Sequence, residues 1–149
     1  MTDSSQQRVV PPQYGPPKNE IPAVLGAGVV WHGEGTGLAV PSLLVYSAGA
    51  ELLILYLTKA PQPQATERVR ATDDALRGLK VNGRSVDLLG GEYHAYGFSQ
   101  RAWVAFHEGD LQGLTFTLDW PGIEPARHRV DGLQEAVSQV TVLWPSDGR

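Results

Sequence analysis

Apolar and polar positions alternate with a period of two along much of this chain. The alternation is complete at Leu114, Phe116, Leu118 and Trp120, which are separated by Thr115, Thr117 and Asp119, so the four large side chains share one face of a strand. Pro121 and Gly122 stop that strand. Residues 124–130 can pair back on it, with Arg127 and Arg129 on one face and His128 on the other. Earlier, Val45 and Tyr46 lead through Ser47-Ala48-Gly49 into a second apolar run at 50–57, the pattern of a β-hairpin. Residues 52–57 are apolar without interruption, which predicts a central strand covered on both faces, by the opposite sheet and by a helix, loop or partner chain. Asn82-Gly83 sits between alternating residues and predicts a tight hairpin. Further strands are expected at about 23–31, 38–46, 93–98 and 102–107, with Gly90-Gly91 before the third of these.

The period changes at the end of the chain. Leu133, Ala136, Val137, Val140 and Trp144 recur at helical spacing, Asp131 can cap the start and Pro145 stops it, so one C-terminal helix is expected to pack on the β domain. Residues 64–77 carry Glu67, Arg68, Arg70, Asp73, Asp74 and Arg77 but only Val69 and Leu76 as large apolar side chains. They read as a solvated loop with a short helix after Thr72, whose hydroxyl can cap it. The fold expected is mainly β: an antiparallel, immunoglobulin-like β-sandwich of about seven to nine strands with one C-terminal α-helix. Residues 23–145 form its single domain, between a proline-rich tail at 1–22 and a disordered end at 146–149.

Composition agrees with a turn-rich globular chain, since hydrophobic residues make up 42%, charged residues 19%, and 17 Gly and 11 Pro punctuate 149 positions. A net charge of −4 gives no field that draws in polyanions, so nucleic acid is not an expected partner. With no cysteine, disulfides, zinc knuckles, iron–sulfur clusters and thiol nucleophiles are excluded together. Residues 1–8 show no basic start followed by an apolar segment, and the run at 52–57 is far shorter than the roughly 20 residues that span a bilayer. The expectation is a cytoplasmic protein that does not contact membranes.

Val45-Tyr46-Ser47-Ala48-Gly49-Ala50-Glu51-Leu52, the strand ending in Asp119-Trp120-Pro121, and the closing Leu143-Trp144-Pro145 together resemble a group of small β-sandwich proteins of high-GC bacteria. The resemblance covers residues 23–145 and excludes the tail. It implies a compact sandwich with a terminal helix, and it carries no function, because none is assigned to that group.

Motifs for chemistry are sparse. Gly33-Glu34-Gly35-Thr36-Gly37 lacks the Lys-Ser/Thr pair and following helix of a phosphate loop, and it leads instead into a strand-like segment, so it reads as a turn. His32, His94, His107 and His128 show no metal-ligand spacing, and a metal site would have to be assembled through the fold, for example from His94, His107 and Glu108 or Asp110. No Gly-x-Ser-x-Gly elbow occurs. The sequence therefore assigns no catalytic residue, no metal and no cofactor, and it favours a non-enzymatic protein. Two segments suit recognition. In 92–98, alternation lines up Glu92, His94 and Tyr96 on one face with Tyr93 opposite, which presents apolar bodies with polar tips. In the tail, Pro11, Pro12 and Tyr14 have the form of a proline-rich ligand for an aromatic groove. The function expected is a protein-interaction or assembly module, by protein partner or self-association. The alternative is a ligand-binding or enzymatic domain with a pocket between the sheets or under the C-terminal helix.

Overall fold

Three antiparallel strands follow one another at the start of the main sheet: β2 (Ala23–Gly33), β3 (Thr36–Val45) and β4 (Gly49–Thr58). The computed structural model describes residues 15–62 and 64–145. Later strands β7 (Asp87–His94) and β8 (Gly97–Ala105) complete this sheet in the order β2-β3-β4-β8-β7, so β4 is its central strand. A second sheet has the order β10-β9-β5-β6, from β10 (Arg127–Val130), β9 (Leu114–Leu118), β5 (Leu79–Val81) and β6 (Arg84–Ser85). A two-stranded ribbon joins β1 (Glu20–Ile21) to β11 (Thr141–Val142). Leu43, Leu52 and Ile54 of the large sheet, Leu79, Leu114 and Phe116 of the small one, Ala75 of helix α1 (Ala65–Gly78) and Leu133 of helix α2 (Leu133–Ser138) lie in one apolar core.

The strongest local signals fold as the pattern dictates. Tyr46 N donates to the Gly49 carbonyl at 2.8 Å and closes the β3–β4 hairpin. Asn82 and Gly83, with φ of 49° and 79°, form the left-handed turn between β5 and β6, which Asn-Gly tolerates better than any other pair. On β9, Leu114, Phe116 and Leu118 are buried while Thr115 and Thr117 are not. His128 lies on the inner face of β10, its ring 5.2 Å from that of Trp31.

The helices differ from expectation. Residues 65–78 form a continuous 14-residue helix, not a loop with a short helical end. Its buried residues are Thr72 and Ala75, small side chains that let the helix lie close, so the large apolar stripe that usually marks a buried helix is missing. The Thr72 hydroxyl donates back to the Arg68 carbonyl at 3.0 Å inside the helix instead of capping it. The C-terminal helix is shorter than its periodicity suggests and ends at Ser138. Beyond it, Thr141 and Val142 are β-branched and pair with Ile21 and Glu20, and Trp144 is left 56% exposed instead of entering the core. The residue before α2 is Gly132 at φ 90°, and Asp131 holds Arg129 at 2.9 Å instead of capping. Among the described residues there are thus two α-helices and eleven strands, the surplus being the two-residue strands β1, β6 and β11. β1 lies within the stretch read from sequence as tail.

Candidate interaction surface

Registers across the large sheet decide which residues share a face. On β4, Ala50, Leu52, Ile54 and Tyr56 point into the core and are all nearly inaccessible. Glu51, Leu53, Leu55 and Leu57 therefore point outward. Pairing places Val30 of β2 and Ala39 of β3 beside Leu55, with Ser99 of β8 and Glu92 of β7 on the other side. One level further along, His32, Gly37, Leu57, Gly97 and His94 form the next row. The outer face thus carries Val30, Ala39, Leu55 and Leu57 across β2, β3 and β4, with His32 at one edge and Glu92 and His94 at the other. Leu57 is 63% exposed and Val30 39%. Among the described residues, the inner face of β4 is covered along its length and the outer face at its Glu51 end, while Leu57 at the other end stays open.

The opposite end of the same face is closed. Trp103 of β8 points outward, yet it is fully buried, its indole against the Tyr46 ring at 5.8 Å and over Gly49. A Cβ on Gly49 would stand 2.4 Å from the indole and 2.5 Å from the Val104 carbonyl oxygen, so only glycine fits there. The Glu20 carboxylate accepts from the Ser47 backbone N–H at 3.0 Å and from the Ser47 hydroxyl, which ties β1 to the β3–β4 turn. Gly15 lies against the Leu89 side chain on β7. Burial pushes the Tyr46 hydroxyl above its ordinary value, helped by the negative charges of Glu51 and Glu20 and opposed by Arg101. Arg101 reaches the mostly buried Glu51 at 3.2 Å and marks the border between the closed and open halves.

The residues singled out in 92–98 do not converge. His94 takes the outer rim on β7, whereas Tyr93 pairs with Phe98 on the other face and is half-exposed. Tyr96 sits in the turn after β7, not on a strand, and its carbonyl accepts from Thr58 N at 2.9 Å. Pro11, Pro12 and Tyr14 lie outside the described residues. Leu53, Leu55 and Leu57, by contrast, were visible as an apolar run but not as a surface, because nothing local shows whether a second layer covers them.

Asp110 is buried at the corner before β9, where it accepts from Arg84, from Asn82 Nδ2 at 2.8 Å and from the His107 backbone N–H at 2.7 Å. Burial alone raises its pKa, but those hydrogen bonds and the Arg84 charge outweigh burial and hold its carboxyl below the ordinary value. Its oxygens are committed to these donors, and no group of three or more His, Cys, Asp or Glu residues suited to a metal occurs among the described residues. Gly33, Gly35, Thr36 and Gly37 line a shallow hollow of about 410 Å³ with Leu57 and Lys59, at the end of the apolar face. No helix among the described residues is long and apolar enough to cross a membrane. In comparisons with known proteins, no family model matches the chain, and no curated protein or solved structure matches it significantly.

Proposed function

We propose that this protein is a non-catalytic interaction module that docks a protein partner on the open half of the outer face of its large sheet. The observation that carries this reading is Leu57, 63% exposed at the end of the outward row Leu53, Leu55, Leu57 on the central strand. Exposed apolar side chains scattered singly are ordinary, but a contiguous row on the middle strand of a sheet, rimmed by His32, Glu92, His94 and Arg101, is the composition of an interface core with a polar rim. The immunoglobulin-like sandwich expected from the sequence belongs to the same reading, and the single core shared by the two sheets supports it. A fold of that kind does not determine its partner; the exposed face does.

The test is co-purification of the full chain against Leu57→Glu and against Glu108→Lys in the exposed loop before β9. A partner retained by the native chain and by Glu108→Lys, and lost with Leu57→Glu, is the expected outcome. Equal retention by all three would remove the face from consideration.

A further inference from the structure

We infer that the chain's own segment Val9-Val10-Pro11-Pro12-Gln13-Tyr14 is an exchanging cover for the open half of the outer face. That a partner must displace it rests on the interaction reading above. The described residues begin at Gly15, and their first stretch already belongs to this face. Gly15 stands against Leu89 at the bulge of β7, beside Gly90, and Gly90 pairs with Arg101 at the border between the closed and open halves. From there the chain runs to Glu20, whose carboxylate holds the Ser47 turn at the closed end. The segment that precedes Gly15 is therefore attached where the open half begins.

Reach and composition both fit that half. Leu57 lies two strand spacings of about 4.8 Å and four residues of about 3.4 Å from Gly90, a diagonal of about 17 Å. Six residues in an extended polyproline conformation, at about 3.1 Å each, cover about 19 Å. Within 9–14 every residue except Gln13 offers an apolar body, whereas 2–8 are all polar. The face presents side chains only, because the backbone groups of β4 are spent on its ladders with β3 and β8. Pro11 and Pro12 lack an N–H and lose nothing there, but along the β7 edge they would leave a gap in the ladder. Their fixed φ lowers the cost of ordering, and the short tether holds the segment at an effective concentration of about millimolar. The cover exchanges with the open form in which Leu57 is 63% exposed. A cover present about half of the time doubles the apparent dissociation constant of whatever binds the open face.

Because the chain has no cysteine, Arg8→Cys provides one site for a nitroxide label at the far end of the segment. In the full chain the label is expected to weaken the methyl signals of Leu55 and Leu57 and to spare those of Val69 on helix α1. Val9→Ser, Val10→Ser and Tyr14→Ser together should abolish that selectivity, and a partner captured as above should then bind about twofold more tightly. Equal effects at Leu57 and Val69, or selectivity that survives the three serines, overturn the cover; if capture still depends on Leu57, the interaction reading stands without it. Selective weakening with no partner captured by the native chain or by the serine variant upholds the cover and overturns the interaction reading. A partner bound equally by both shows that the cover does not compete and overturns displacement.

Discussion

Two residues show how much a single position can carry here. Asp110 is held by Arg84, Asn82 and the His107 backbone, so Asp110→Asn leaves a guanidinium without its charge partner and should cost about 2–3 kcal/mol, measured by denaturant unfolding. Its folded pKa is lowered, so its contribution is complete above the ordinary value of 3.8 and is lost as pH falls below that value. The stability of the native chain should therefore drop more steeply than that of Asp110→Asn as pH falls below about 4. An Asp110→Asn curve that tracks the native one throughout would remove Asp110 from that role. Gly49→Ala is a packing test: the added methyl meets both the Trp103 indole and the Val104 carbonyl, and overpacking of this kind costs about 2–3 kcal/mol. Neither residue announces itself in the sequence. Asp110 reads as part of a charged loop, and Gly49 as an ordinary turn glycine, because their partners come from strands 26 and 54 positions away, Arg84 and Trp103.

At the scale of the element, local signals and tertiary packing divide the work unevenly. The β5–β6 turn is local: Gly83→Ala puts a side chain at φ 79° with open space around it, so backbone strain alone acts and the loss should be about 1 kcal/mol. On β4 the two faces respond differently. Leu57→Glu should change thermal stability by no more than about 0.5 kcal/mol, since the side chain is already in water, while Ile54→Ala on the inner face should cost about 3 kcal/mol. A large loss with Leu57→Glu would mean that the outer face is covered within the chain itself. Helix α1 was illegible for the opposite reason, since its fully buried positions are Thr72 and Ala75, with Leu76 packed beside them, and an apolar periodicity carried mostly by small side chains leaves little trace in a hydrophobicity pattern.

Across the whole molecule, the first and last segments of the described residues meet. β1 pairs with β11, Asn19 Nδ2 donates to the Trp144 carbonyl at 2.8 Å, and Glu20 clamps the β3–β4 turn beside Trp103. A chain beginning at Ala23 should thus lose about 1–3 kcal/mol and show a red-shifted tryptophan emission, a shift absent when the same truncation is made in Trp103→Phe. Unchanged emission would show that residues 15–22 do not shield the indole.

What the sequence alone determined was what depends on neighbours along the chain: the antiparallel, mainly β class, the hairpins at Ser47-Ala48-Gly49 and Asn82-Gly83, the buried face of β9, and the absence of thiol chemistry. Only the tertiary structure decided the length of both helices, the pairing of β1 with β11, the satisfaction of Asp110 and the exposure of the outer row of β4. The physical reason is one of range. Backbone propensity and side-chain period act over a few residues, whereas whether a leucine row faces a second layer or water depends on segments far away in the chain, and that is the feature on which this protein's function is read.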